Sequence, residues 1–213
     1  GSMNRGIDLS GKSVALRSEL GPEMTTIDCQ GANRAFTVQS GETVEIEGLT
    51  LQNGSVSFGA ALFINSGSHA IVTNCLFVDG QADRGAAAYV RLSTADFVGC
   101  RFSGNSAEYG GVLHNEADVM TPSTISATDC VFLENDATCG GVLYDSWWGG
   151  SFVAQGCVFD GNSCESGGLI HSGGNHFQID ETLFIGNSWG SMTNGQGGGA
   201  GSVSRCTFVE NSG

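Results

Sequence analysis

The chain has 213 residues, of which 34 are glycine and only two are proline, and its formal net charge is −14. A hydrophobic share of 40% excludes a disordered chain, and the scarcity of proline excludes collagen. The acidic balance argues against nucleic acid as a partner, because phosphate binding needs clustered Lys and Arg. Direct membrane insertion is not expected either, since no run of about 18 apolar residues occurs.

In chain order, residues 1–3 resemble a cloning remnant, and residues 4–213 are expected to form a single domain excised from a longer protein. Leu49-Thr50-Leu51 is the first, degenerate copy of a short repeat. Its later copies read Cys (once Thr), any residue, Phe. Their phenylalanines recur at intervals of 25, 30, 27, 25 and 24 residues: Phe77, Phe102, Phe132, Phe159, Phe184 and Phe208.

A repeat of roughly 25 residues is too short for two helices and a turn. It fits one coil of about three short strands closed by Gly and Asn turns, with successive coils stacked in parallel. We therefore predict an all-β protein, a right-handed parallel β-helix of about eight coils.

The repeat also predicts three interior columns. One is the phenylalanine column above. The second is a column of thiols at Cys75, Cys100, Cys130, Cys157 and Cys206, with Thr182 replacing one rung. The third is a column of turn amides at Asn105, Asn135, Asn162, Asn187 and Asn211.

A second motif opens with a glycine, and the residue four positions later has a ring in most copies. Alternation along a strand places this second set on the outer face: Phe63, Tyr89, His114, Tyr144, His171 and, in the last copy, Asn194. Such a stripe is a candidate surface for binding sugar or protein, or it is ordinary stacking between rungs. The longest loops carry three further candidate contact residues, Trp147, Trp148 and Trp189, which could instead cover gaps between coils.

Five of the eight cysteines share one repeat position, which favours buried, reduced thiols over disulfides. Cys139 and Cys164 lie outside that column and form a candidate disulfide. His114 and His171 are two coils apart, too far to share a metal ion. No metal site and no cofactor are therefore expected.

The intact Phe-x-x-Asn motifs begin at Phe102, Phe132, Phe159, Phe184 and Phe208, and the Gly-Gly-apolar motifs begin at Gly110, Gly140 and Gly167. Together they resemble the repeats of chlamydial polymorphic outer-membrane proteins. Those are autotransporter adhesins whose passenger is a right-handed β-helix of the pectin-lyase-like superfamily. Gly80 departs from the pattern by replacing the Asn. The resemblance implies an adhesive role outside the cell or at its surface.

The leading hypothesis is a non-catalytic display or adhesion module that binds a protein or a glycan. One alternative is a fragment of a carbohydrate-active lyase, hydrolase or epimerase that uses a groove near His114, Tyr144 and His171. Its best catalytic candidates are Arg84, Arg91 and Arg101, and the competing interpretation of these arginines is a solvated surface. The other alternative is a structural spacer. The open strand edge of the last coil also predicts either end-to-end self-association or a small cover formed by an earlier loop.

Overall fold

Every regular element in the described residues is a short β-strand, and all named strands pair in parallel. The computed structural model describes residues 4–146, 149–173, 176–188, 192–194 (backbone only) and 201–213. No described segment is a helix of the length and hydrophobicity needed to cross a membrane.

The strands form four sheets that run along one axis. Sheet A contains Ile7–Asp8, Phe36–Val38, Leu62–Ile64, Ala88–Arg91, Leu113–Glu116, Leu143–Asp145, Ile170–Ser172 and Met192–Asn194. Sheet B contains Val14–Arg17, Thr43–Glu47, His69–Thr73, Thr94–Val98, Ser123–Thr128, Gly150–Gln155, His176–Asp180 and Gly201–Ser204. Sheet C contains Thr26–Asp28, Thr50–Gln52, Leu76–Val78, Arg101–Ser103, Val131–Leu133, Val158–Asp160, Leu183–Ile185 and Thr207–Val209. Sheet D contains Gln81–Arg84, Ser106–Tyr109, Asp136–Cys139 and Ser163–Ser166.

The chain visits the sheets in the order A, B, C, D in each coil where sheet D is present, and then returns to sheet A. The predicted parallel β-solenoid is confirmed, with about seven turns of about 26 residues rather than about eight coils. Eight strands in a sheet enclose only seven intervals, which accounts for the difference.

The turns on either side of sheet C depend on left-handed residues. The residue before Cys130 (Asp129, φ 53°) and the residue before Asn135 (Glu134, φ 51°) both have positive φ. Gly99 and Gly104 adopt the same conformation one coil earlier. Each coil therefore turns at the same two places, and this keeps the strands of successive coils in register.

The interior of sheet C is a continuous stack of phenylalanine rings. The centroids of consecutive rings from Phe77 to Phe208 are separated by 4.8, 4.9, 4.6, 4.8 and 4.7 Å, with planes inclined by 17° or less. Phe77 to Phe184 are fully buried. Phe208 continues the column but is 46% exposed, because no described residue packs on the outer side of its coil.

The thiols and amides of the repeat also align. The Sγ of Cys130 donates to the carbonyl of Phe97 in the preceding coil at 3.5 Å, and the other ladder thiols make similar contacts. The Nδ2 of Asn135 donates to Asn162 Oδ1 at 2.9 Å, and Asn105 Nδ2 donates to Asn135 Oδ1 at 3.0 Å. The amides thus form one hydrogen-bonded chain along the axis, which extends to Asn211.

Candidate functional site

The glycine that opens each Gly-apolar motif forms a tight corner between sheets D and A. Gly110 has a φ of +66°, and a Cβ at this position would overlap the carbonyl oxygen of Leu113. The same overlap, with the carbonyl oxygen of the residue three positions later, would occur at Gly59, Gly85 and Gly140. Only glycine fits such a backbone. The corner brings the outer surfaces of the two sheets together, and Tyr109 of sheet D meets Tyr144 of sheet A edge-on at 5.1 Å.

We call the concave surface along this corner the corner groove. Its floor is the outward column of sheet A: Phe63, Tyr89, His114, Tyr144 and His171. Its wall is the column of residues that immediately precede the motif glycines: Phe58, Arg84, Tyr109, Cys139 and Ser166.

The floor rings stack face to face along the axis. Consecutive centroids from Phe63 to His171 are separated by 5.6, 5.1, 5.2 and 4.7 Å, with planes inclined by 23° or less. The predicted stripe is therefore a ladder whose ring faces cover one another. Only ring edges and polar tips remain for a ligand to contact.

The exposure of the stripe differs from the expectation. Tyr89 is 4% exposed and His114 only 1%, whereas Phe63, Tyr144 and His171 are half-buried. The wall explains the difference, because its side chains pack over the centre of the floor. The last expected member is also displaced by the register, since the backbone of Thr193 pairs with His171 and Asn194 pairs with Ser172.

Arg84 and Glu116 connect the wall to sheet A. The Nη1 of Arg84 lies 3.4 Å from Oε2 of Glu116, and the Nε of Arg91 lies 3.2 Å from Oε1. The hydroxyl of Tyr89 donates to the same carboxylate. Burial raises the pKa of Tyr89, and the Glu116 carboxylate raises it further. The third arginine of the expected trio, Arg101, lies on sheet C and does not join this cluster.

His114 lies between the rings of Tyr89 and Tyr144. Burial lowers its pKa to about 4, and the nearby Arg84 guanidinium acts in the same direction. Glu116 and the Tyr109 backbone act in the opposite direction. Neither ring nitrogen has a hydrogen-bond partner of good geometry among the described residues. At neutral pH the imidazole is therefore uncharged and can offer one donor and one acceptor.

The groove contains a cavity of about 250 Å³ beside His114. Arg84, Tyr109, Tyr144 and Ser146 form the rest of its lining. Every one of these side chains can form hydrogen bonds, and two of them are aromatic. Trp147 and Trp148, which follow Ser146 in the sequence, and Trp189 lie outside the described residues.

Comparison with known proteins agrees with this architecture. A family model described as a right handed beta helix region matches residues 23–188, more than three quarters of the chain. The chain belongs to the right-handed β-helix family. Searches of curated proteins and of solved structures found no match.

Two other cavities of the β-helix lack the chemistry of the corner groove, and in a third, of about 270 Å³ on sheet B, the lining phenylalanines Phe152 and Phe177 are buried in the core. One of about 280 Å³ is lined by turn residues that include Asp28, Asn53 and Asp79, and one of about 400 Å³ is lined by residues from Ser55 to Asp83. Neither contains an aromatic side chain among the described residues. We therefore take the cavity beside His114 as the candidate site.

Among the described residues of the β-helix, the structure records no disulfide between Cys139 and Cys164. The register places Cys139 beside Ser166 and Cys164 beside Ala137, so the two cysteines occupy different columns. Within the described residues, no group of three or more His, Cys, Asp or Glu side chains is arranged to hold a metal ion.

The wall of the groove has a signal in the sequence that the alternation pattern alone does not reveal. Each wall residue directly precedes a motif glycine, as in Arg84-Gly85 and Tyr109-Gly110. A positive-φ glycine that reverses the chain towards its neighbouring sheet sets the preceding side chain against that sheet. The functional candidates Arg84 and Tyr109 follow from this rule once the corner is known.

Proposed function

We propose that this β-helix is a non-catalytic display module that binds a glycan through the corner groove, outside the cell or at its surface. The observation that carries the proposal is the cavity lined by Arg84, Tyr109, His114, Tyr144 and Ser146. Its hydrogen-bonding tips match the hydroxyl groups of a sugar, and its aromatic ring edges match the apolar C–H groups between them. The resemblance of the repeats to those of polymorphic outer-membrane proteins supports an adhesive role.

A glycan suits the site better than a protein surface does. The cavity is small and concave, and a stable protein interface usually needs about 800 Å² on each partner with apolar anchors at its centre. The described floor instead presents ring edges. A protein ligand remains an outcome of the test below.

An enzyme fragment is the second candidate, and it would need ionisable groups that converge on the cavity. The carboxylate of Glu116, beside the cavity, already binds Arg84, Arg91 and the Tyr89 hydroxyl. This arrangement favours binding over catalysis. A structural spacer is the third candidate, and it needs no groove at all.

A glycan array combined with a polysaccharide-turnover assay tests the proposal. We expect binding without product release, and we expect Tyr109→Ala and Tyr144→Ala each to weaken it about tenfold or more. Arg101→Gln is the matched control, because Arg101 lies on sheet C outside the groove. Product release that is lost in the tyrosine variants would establish an enzyme. Silence on the array and in the turnover assay would contradict the proposal and favour a spacer or a protein ligand.

A further inference from the structure

The Arg84–Glu116 contact crosses the corner groove from its wall to sheet A. Arg84 is held in place from both sides, with its guanidinium carbon 5.8 Å from the ring centre of Phe58 and 5.9 Å from that of Tyr109. Glu116 is held by Arg91 and by the hydroxyl of Tyr89. The pair lies over the part of the floor formed by Tyr89 and His114, the two buried rings of the ladder.

Among the described residues, the groove is consequently closed on one side of the cavity and open on the other. Towards the C-terminal coils, Tyr144 and His171 are half-buried and border the groove. Towards the N-terminal coils, the cavity ends at Arg84. A polymer that lies along the floor therefore cannot continue past Arg84 while the ion pair is intact.

The size of the cavity agrees with a chain end. Its volume of about 250 Å³ lies below the range of roughly 300–1,000 Å³ that is usual for drug-sized ligands. One sugar ring is of a size that such a space accepts. The floor rings are stacked on each other, so they offer no flat platform for several sugar faces in a row.

Charge favours an uncharged sugar. Arg84 is the only cationic side chain of the described lining, and Glu116 compensates it. Glu108 lies beside Tyr109, where it raises the pKa of the phenol. The chain as a whole carries a net charge of −14. An additional carboxylate in the cavity would meet two nearby carboxylates and an unfavourable overall field.

We propose that the cavity is a blind pocket that binds the terminal residue of an uncharged glycan chain, and that the Arg84–Glu116 pair is the barrier that excludes internal segments. This inference rests on the proposed function and adds the class of ligand and the part of it that is recognised. Tyr144 and Tyr109 supply hydrogen bonds to the hydroxyl groups of that residue, the buried His114 ring forms part of the pocket floor, and the Arg84 edge closes the pocket.

The test compares chain length and chain ends by calorimetric titration. The probes are linear disaccharides and hexasaccharides of the gluco, galacto and manno series, the cyclic hexasaccharide of glucose, and a glucuronate-terminated disaccharide. For the series that binds, we expect dissociation constants of disaccharide and hexasaccharide to agree within about twofold. The cyclic probe has no end and should not bind, and the glucuronate probe should bind more weakly than its neutral counterpart.

Opening the barrier should change this pattern. We expect Glu116→Ala to strengthen hexasaccharide binding roughly tenfold relative to the disaccharide, because the chain can then extend over Tyr89. Glu45→Ala is the matched control, since Glu45 also pairs with an arginine, Arg17, but on the outer surface of sheet B. Circular dichroism would establish that each variant is folded. Should Glu116→Ala fail to fold, the comparison of probes on the unsubstituted protein still decides the matter.

Each result has a definite meaning. Much tighter binding of the hexasaccharide than of the disaccharide, or any binding of the cyclic probe, by the unsubstituted protein would overturn the blind pocket and leave the proposed function standing. A preference for the glucuronate probe would overturn the uncharged class. Binding of no probe, together with a silent glycan array, would overturn both proposals.

Discussion

His114 is an uncharged imidazole in the centre of an aromatic stack, and this makes the stability of the protein depend on pH. Its pKa is about 4 in the folded chain and 6.5 ordinarily. Between these values the unfolded chain binds a proton that the folded chain does not. The contribution of the uncharged His114 to the free energy of unfolding is therefore fully present above pH 6.5. It decreases as the pH falls to about 4 and does not change further below that.

We expect His114→Phe to remove most of this dependence while keeping a ring in the stack. Urea denaturation at pH 7 and pH 5 measures it. Between pH 7 and pH 5, the free energy of unfolding of the unsubstituted protein should fall by on the order of 2 kcal/mol, and that of the variant should fall clearly less. His171, whose pKa is also lowered by burial, remains in both proteins and cancels in the comparison. Equal losses in the two proteins would show that His114 does not titrate as the structure indicates.

The corner glycines are the second feature at this scale. Gly110→Ala should destabilise the fold by more than about 3 kcal/mol, because the new Cβ overlaps the Leu113 carbonyl oxygen and the backbone must move. Gly186 has a similar φ of +57°, but a Cβ there would meet nothing within 4 Å, so Gly186→Ala isolates the cost of the backbone conformation alone. We expect Gly186→Ala to lower the free energy of unfolding by about 1 kcal/mol. Comparable urea midpoints for the two variants would contradict a steric origin.

The asparagine ladder shows what one interior column contributes at the scale of the element. Asn135 is fully buried and makes hydrogen bonds to Phe102 and Asn162 while accepting two from Asn105. Asn135→Ala would leave several of these buried partners unsatisfied and should cost about 3–5 kcal/mol in chemical denaturation.

Asn211→Ala is the internal control for that prediction. Asn211 occupies the same position in the last rung, where solvent can replace part of what the side chain provides. Its loss should cost about 1 kcal/mol. An equal cost at both rungs would mean that the ladder does not depend on burial.

The strand-forming columns were predictable from sequence because the same chemistry recurs once per coil. In a stack of coils, each repeat position packs against the same position of the adjacent coil. The repeat period alone therefore predicts that Phe132 and Asn135 lie in interior columns. The groove was not predictable in this way. Arg84 and Glu116 are 32 residues apart and belong to different sheets. Their contact depends on how far the corner at Gly85 turns, and the alternation that placed His114 on the outer face gave no information on what covers it.

The last described coil leaves interior positions uncovered, and this bears on the whole molecule. Val203 is 41% exposed although it continues the buried column of Ile179, and Phe208 is exposed in the same way. The first coil has the matching residues Leu16 and Ile27 only partly buried. A second copy could therefore stack its first coil on this last coil in a head-to-tail contact.

We expect the molar mass measured by light scattering to increase with protein concentration, and a Val203→Lys/Phe208→Lys variant to remain monomeric. Val153→Lys is the matched control, because Val153 is similarly exposed, at 37%, but lies on the outer surface of sheet B in a central strand. A concentration-independent monomer would contradict the association. Loss of association in the Val153 variant would indicate general repulsion instead.

The hydrogen bonds of all four sheets run parallel to the long axis, from each coil to the next. A pulling force applied to the two chain ends would therefore load these bonds in series and peel one coil at a time from an end. Each coil holds about 26 residues, which corresponds to roughly 90 Å of extended chain. Under tension the molecule should unfold one coil at a time, lengthening in near-equal steps at a low force that is similar for each step.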